Sequence, residues 1–557
     1  MDHDPLKPRK YKNNVSFSRY KGRDRHHVPC NVSRSLDWYV SGACYAKPDP
    51  LDPLSRLEGA VYRMGAEVPT CTPEKQEEYR NFCNVWMREN LTPLTPDEFI
   101  TPEDWLEGLD FSELRKEQLR EAMHELNQEG INFDDKRWLK KFAELNSFIK
   151  DEFYPAYKAS RWINARNDKV KCWFGPLVQM VMNRLKALCC IIKTVPVEER
   201  GQYLYDMFYD PANSYACTDF TTFEAHFEKW LMIIEGDLYD YILQNHPMVK
   251  LLKVFVNKIL GGDNQAWMRG FGKFIFVALR CSGEMNTSLG NTFHNLCIVQ
   301  FLAYKNGAEK VIMVAEGDDS LTVVKPATAI PTTPQFAEYG WVIKIEIFKE
   351  LGDASFCGNV FAKEDMIVVT DPRKILLSLG WCGRRYQGAS VKFLSGLFKS
   401  KVLSMGCQYG RNPIIWALAK RLLHLLVDVK IRKTVVESDA YKREILTRAL
   451  EEKFEISEPG MATRHLVARL YNISLQEQFL LEKEFSTIEL GPWEAPIWLF
   501  TDDDREKWIN CTSIRPWYFK EDGNADDWRQ WLKDNIQEDE GSPFTLIDDV
   551  IDGYCIS

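Results

Sequence analysis

No run of eighteen or more apolar residues occurs in the sequence. Its most apolar long stretch, "IIWALAKRLLHLLVDV" at 414–429, carries Lys420, Arg421 and His424 and reads as an amphipathic helix. A transmembrane segment is therefore not expected, and the N-terminus lacks the apolar core of a signal peptide. C-x-x-C pairs are missing as well. The fifteen cysteines are odd in number and scattered, which argues against a disulfide framework or a zinc site and for reduced thiols in a cytosolic compartment. Internal repeats and long low-complexity tracts are absent. Positive charge is not in excess either: the formal net charge is −9, so coating nucleic acid by bulk charge is not indicated.

What is present is apolar surface and uneven charge. With 557 residues, 45% hydrophobic and 13% aromatic, the chain can build several packed cores. Residues 1–27 hold eight Lys or Arg against three Asp, a local net of +5, and read as a basic arm (1–28) for RNA or an anionic surface, or as a solvated tail. A second basic stretch, "YKASRWINARNDKVK" at 157–171, interleaves five Lys or Arg with aromatic and aliphatic residues, a mixture suited to a folded, phosphate-facing surface. The acidic excess concentrates elsewhere, notably in "DDWRQWLKDNIQEDEG" at 526–541.

The organisation divides into a mixed N-terminal part, an α+β centre and a helical end. "SELRKEQLREAMHELNQEG" predicts a helix capped by Ser112, with Leu119, Met123 and Leu126 on one face and Gly130 as its stop. From Tyr203 to about Leu379 short β-rich runs alternate with helices. Beyond it, "RNPIIWALAKRLLHLLVDV" predicts a helix with Asn412 as its cap and Pro413 at its first position.

Three stretches carry chemistry. "VIMVAEGDDSLTVV" at 311–324 reads as a β-hairpin whose tip, Glu316-Gly317-Asp318-Asp319, sets adjacent carboxylates between apolar strands. "SYACTDFTTFEAHF" at 214–227 delivers Asp219 at the end of a β-type run, followed by Glu224. Set beside the hairpin, Asp219 and Asp318 would hold two Mg²⁺ about 3.5 to 4 Å apart, the clamp for phosphoryl transfer. "RCSGEMNTSLGNTFHNL" at 280–296 leads from a Ser-Gly loop into a helix that puts Thr287 and Asn291 on one face, with Ser282 on the loop. Each stretch has a plainer reading as a turn, a strand end or a helix cap.

Taken in order, Asp219-x-x-x-x-Glu224, Ser282-Gly283-x-x-x-Thr287-x-x-x-Asn291 and Gly317-Asp318-Asp319 resemble the palm motifs of RNA-dependent RNA polymerases of positive-strand RNA viruses, most closely the tombus-like and carmo-like lineage. Lys158-x-x-Arg161-x-Ile163-x-x-Arg166 resembles that family's basic fingers motif, "YGWVIKIE" places Lys344 at its fourth palm motif, and "ASFCGNVF" with "VVTDPRK" resembles its primer grip. The resemblance implies an α+β right hand. Its parts are the basic arm (1–28), an N-terminal extension and fingers (29–202), a palm (203–380) with a fingers insertion near 240–278, and a helical thumb with a C-terminal segment (381–557). It further implies Asp219, Asp318 and Asp319 as ligands of Mg²⁺ (or Mn²⁺), and Lys344 as proton donor to pyrophosphate. Lys158, Arg161 and Arg166 fall on the triphosphate, and Glu224, Ser282, Thr287 and Asn291 near the ribose and base pair. Implied partners are RNA template and product, NTPs and a separate membrane-anchored replication protein, in host cytoplasm at membrane-associated sites. One departure stands out: Glu224 occupies a place where the lineage carries Asp, and we expect it to accept a hydrogen bond from Asn291.

Two rival readings have distinct signatures. A reverse transcriptase is expected to show a Tyr-x-Asp-Asp hairpin and a bulky steric gate, whereas the hairpin here reads Ala315-Glu316-Gly317-Asp318-Asp319. A coat-like RNA-packaging protein would use the basic arm but has no use for three spaced carboxylates.

Overall fold

A computed structural model describes residues 15–19, 34–43, 50–51, 56, 59–152, 159–269, 272–383, 386, 388–431, 440–451 and 454–504. Most of the basic arm, Lys158 and the acidic 526–541 stretch lie outside the described residues.

Two sheets organise the molecule. The first is a four-stranded antiparallel sheet in the order Ile343–Phe348, Tyr215–Phe220, Asp319–Lys325, Lys310–Glu316. Its strands are rich in Val, Ile and aromatic residues and alternate between two buried environments. On one face Phe220, Met313, Ala315 and Ile343 join the largest core, shared with the long helix Thr287–Lys305 and the helices Pro73–Asn90, Asp168–Lys186 and Lys229–Ile242. On the other face Tyr215, Cys217, Leu321 and Val323 pack on Leu204, Tyr205 and Phe208 of the helix Arg200–Phe208.

The second sheet has five strands in the order Val15–Arg19, Gly272–Val277, Asp263–Met268, Glu144–Ile149, Trp162–Arg166. All neighbours are antiparallel except Glu144–Ile149 with Asp263–Met268. It joins residues before the α+β centre to a hairpin inside it. Five residues of the basic arm form its edge strand, so that part of the arm is folded backbone.

The C-terminal helices Val391–Tyr409, Ile415–Leu425 and Leu475–Phe485 bury Leu397, Leu418 and Leu481 against Trp38 and Val40 from near the N-terminus. Trp38 stacks on Trp493, and the strands Trp38–Val40 and Gly491–Trp493 pair in parallel, joining the early and late parts of the described residues. Among the described residues no helix is long and apolar enough to cross a membrane.

Local expectations fare differently. The helix Glu113–Glu129 forms with Ser112 accepting from the Arg115 N–H and Leu119, Met123 and Leu126 buried, as the pattern requires. The cap at Asn412 does not form. Its side chain donates to the Val368 carbonyl (2.8 Å) and accepts from the Thr370 N–H (3.1 Å), tying two segments together, and the helix begins at Ile415. Glu482 instead accepts from the Ile414 N–H at 2.8 Å. Tertiary partners outcompete the local capping bond here.

Candidate active site

The hairpin turn is as tight as its sequence predicts. Lys310–Glu316 and Asp319–Lys325 pair from Glu316↔Asp319 to Lys310↔Lys325, leaving only Gly317 and Asp318 in the loop. Gly317 has φ +62° while Asp318 has no positive φ, the pattern of a two-residue turn with glycine at its first position. The long helix behind it clamps this glycine: the Gly317 N–H donates to Thr292 Oγ1 (2.9 Å) and the Gly317 carbonyl accepts from Asn295 Nδ2 (3.1 Å). The two peptide groups flanking Gly317 are therefore fixed from one element.

Strand register brings the carboxylates together. Ser320 pairs with Thr218, so the next step of the same antiparallel register sets Asp319 toward Asp219, and Ser320 and Thr218 hydroxyls hydrogen-bond at 2.5 Å beneath them. On the other side of Asp219, Lys344 is its direct cross-strand partner. Paired residues present their side chains on one face, so Asp219, Asp319 and Lys344 share the face whose far end is covered by the Leu204 cluster. Lys344 is paired with Glu346 at 2.8 Å.

Electrostatics mark the same place. Burial, with the charges of Glu224 and Asp219, raises the Asp318 carboxyl above its ordinary range against a backbone hydrogen bond and Arg161. Asp319 is pushed up to about 7 by burial and by Asp318 and Asp219, opposed by a hydrogen bond from Cys357. Carboxylates that raise one another's proton affinity form a set of hard oxygen donors short of positive charge, the donor chemistry a divalent cation satisfies. Among the described residues no three such side chains stand close enough to cage an ion, so the set is assembled electrostatically but not gathered.

Glu224 sits on the short helical turn Phe223–His226, reached through Thr222, a β-branched residue at φ +48° whose buried hydroxyl has no partner. Such strain costs on the order of 1–3 kcal/mol and concentrates at functional places. Glu224 does not bond Asn291. It accepts from Arg63 Nε at 2.8 Å, while the buried Asn291 Oδ1 has no partner. Burial acts to raise the Glu224 carboxyl, but Arg63, a backbone N–H and Arg161 outweigh it and hold it below the usual range.

The remaining candidates divide. Thr287 opens the long helix as expected, its hydroxyl donating to the carbonyls of Cys281 (2.8 Å) and Glu284 (2.9 Å), and Asn291 follows one turn later. The Ser282 carbonyl accepts from the Asn164 N–H at 2.7 Å, docking the Ser-Gly loop on the strand Trp162–Arg166. Arg161, just before that strand, lies 3.6 Å from Glu152 and exerts its charge on both Asp318 and Glu224. Arg166 is 3% exposed; its Nε contacts Glu284 at 2.5 Å and Nη1 donates to the Phe142 carbonyl at 2.6 Å. The guanidinium fork that the resemblance aims at a triphosphate is thus engaged inside the protein, joining strand to Ser-Gly loop.

Three residues of the site escaped the sequence reading. Thr292 and Asn295 had a signal, polar residues three apart among the apolar Leu289, Phe293, Leu296 and Ile298 of the same helix. Arg63 had none, because its role arises from contact with Glu224, 161 positions away.

Residues 170–381 match the model of a family described as viral RNA-dependent RNA polymerase. A protein named RNA-directed RNA polymerase, from Tobacco necrosis virus (strain A), is 23% identical over 312 residues, which cover 52% of this chain and 40% of that protein. The chain thus aligns with less than half the length of this relative. The resemblance carried by the motifs is borne out over the centre of the chain, the part that contains Asp219, the Ser-Gly loop and the Asp318-Asp319 hairpin.

Proposed function

We propose that this chain is an RNA-directed RNA polymerase that extends RNA from NTPs on an RNA template by two-metal-ion nucleotidyl transfer, replicating a viral RNA genome. The observation that supports it best is the register that sets Asp219 between Lys344 and the Asp318-Asp319 hairpin on one sheet face, inside the stretch that matches the polymerase family. In this reading the four-stranded sheet is the palm, the five-stranded sheet the fingers and the C-terminal helices the thumb.

Asp219, Asp318 and Asp319 would hold Mg²⁺ or Mn²⁺. When bound, the ions supply a lowered pKa for the attacking 3′-hydroxyl and charge neutralisation on the leaving pyrophosphate. The chain's own residues do the rest. Thr292 and Asn295 hold the Gly317 peptide groups, which limits how far the Asp318-Asp319 turn must move to bring its carboxylates to the ions. Lys344 stands across from Asp219 with an ammonium that can pass a proton to pyrophosphate as the Pα–O bond to it breaks and the bond from the 3′-oxygen forms. Arg161 offsets phosphate charge. Asn291, one helical turn after Thr287, would stand near the ribose.

The test is direct: purified chain, a short RNA template, labelled NTPs and Mg²⁺ or Mn²⁺, with and without primer. Template-dependent product lost in Asp318→Asn supports the reading; no product with either ion and either primer condition overturns it.

A further inference from the structure

A segment far upstream of every motif reaches into the site. The helical turn Ala60–Met64 lies against the strand Trp162–Arg166: Trp162 Nε1 donates to the Arg56 carbonyl at 2.9 Å, and Asn164 Nδ2 is 3.5 Å from Met64 Sδ. The approach is close enough that a Cβ on Gly59 would stand 2.3 Å from the Ser160 carbonyl and 2.8 Å from the Trp162 ring. From this turn Arg63 directs Nε to Glu224 Oε1 at 2.8 Å, with both side chains only 13% exposed.

We propose that Arg63 is a positioning residue for sugar selection: it holds one carboxylate oxygen of Glu224 so that the other is set to accept from a ribose hydroxyl of the incoming nucleotide. This rests on the polymerase reading above. Glu has one more rotatable bond than Asp, and a free glutamate side chain loses correspondingly more rotamer freedom when fixed. A charge-assisted bond from a guanidinium, itself anchored through the turn to the strand Trp162–Arg166, provides that fixing in the free protein. Arg63 touches no substrate. It explains how a longer carboxylate functions at this position: the N-terminal segment supplies the partner that Asn291 does not.

The experiment measures kcat/KM for a ribonucleotide and for its deoxy counterpart on one primed RNA template, with thermal melting of each variant. In Arg63→Gln the ribo-over-deoxy ratio should fall about tenfold, the worth of one lost hydrogen bond, mainly through KM for the ribonucleotide. Arg63→Lys should recover part of it, and Arg63→Gln/Glu224→Gln should be no worse than Glu224→Gln alone. If wild type makes no product, the polymerase reading fails. If wild type is active and the Arg63→Gln ratio stays within twofold, or both nucleotides lose equally, the role of Arg63 is overturned. Should Arg63→Gln not fold, Glu224→Asp serves: it keeps the charge but shortens the reach to Arg63, and a wild-type ratio in that variant overturns the proposal.

Discussion

Lys344 and Asp219 are direct cross-strand partners in an antiparallel pair, so a cation and a carboxylate share one sheet face beside the Asp318-Asp319 turn. Replacing Lys344 by Leu should slow single-turnover incorporation by about 10²- to 10⁴-fold, the usual worth of a positioned proton donor, with little change in NTP affinity. Rates within twofold of wild type would reduce Lys344 to the exposed partner of Glu346, an ion pair worth about 0.2–1 kcal/mol.

Asp219→Asn and Asp318→Asn should each abolish incorporation while leaving the melting temperature of the metal-free protein unchanged or raised. Asp219 is exposed, and each neutralisation removes repulsion that now raises its neighbours. Activity above a few per cent, or a large loss of stability, would contradict the assignment of these residues to metal binding.

Asp319 gives the site a pH signature. Its folded carboxyl titrates near 7, above the ordinary 3.8, so between those values the folded state holds more proton than the unfolded one. Stability from this group is then full below about 3.8 and is lost as pH rises through about 7. A divalent cation competes with that proton. The gain in melting temperature on adding Mn²⁺ or Mg²⁺ should therefore grow from pH 6 to pH 8, and Asp319→Asn should flatten both trends. A cation-induced gain that does not change over this range would rule out the linkage.

Arg166 is expected to behave as a structural residue. Removing one partner of a buried pair strands the other charge, at about 3–5 kcal/mol. Arg166→Ala should lower the denaturation midpoint sharply through Glu284, and Arg166→Met/Glu284→Met should recover much of it. Raised KM for NTPs with unchanged stability would instead support the triphosphate role.

The contrast between Arg166 and Asp318 shows what was legible in the sequence. The hairpin, the strand bearing Asp219, the Ser-Gly loop before its helix and the helix Glu113–Glu129 rest on local rules of turn chemistry, alternation and capping, and all formed where those rules put them. Partner identity does not follow such rules. Whether Arg166 faces a ligand or Glu284, or whether Asn412 caps a helix or bridges Val368 and Thr370, is decided by segments distant in sequence. The five-stranded sheet was hidden for the same reason: its strands come from residues 15–19, 144–149, 162–166, 263–268 and 272–277, and only folding makes them neighbours.

The clamp on Gly317 yields the sharpest separation between building the site and performing the chemistry. Thr292 Oγ1 accepts from the Gly317 N–H and Asn295 Nδ2 donates to the Gly317 carbonyl, yet both side chains lie on the core side of the turn and neither is a metal or nucleotide ligand in the proposed mechanism. Thr292→Val keeps the shape but leaves a half-buried N–H unpaired, a penalty of about 1–3 kcal/mol that falls on the turn. Relief comes from displacement of Asp318, and a shift near 1 Å in a reacting group costs on the order of a hundredfold in rate. The expected result is a fall in kcat with KM for NTPs nearly unchanged, since ground-state contacts to the triphosphate come from other elements. Asn295→Asp should be worse than Asn295→Ala, because a carboxylate there would face the Gly317 carbonyl and add charge behind Asp318 and Asp319. Both variants should keep a cooperative melt, the helix Thr287–Lys305 being anchored by Leu289, Phe293, Leu296 and Ile298 in the main core. A Thr292→Val enzyme with wild-type kcat would show that the strands alone fix the turn.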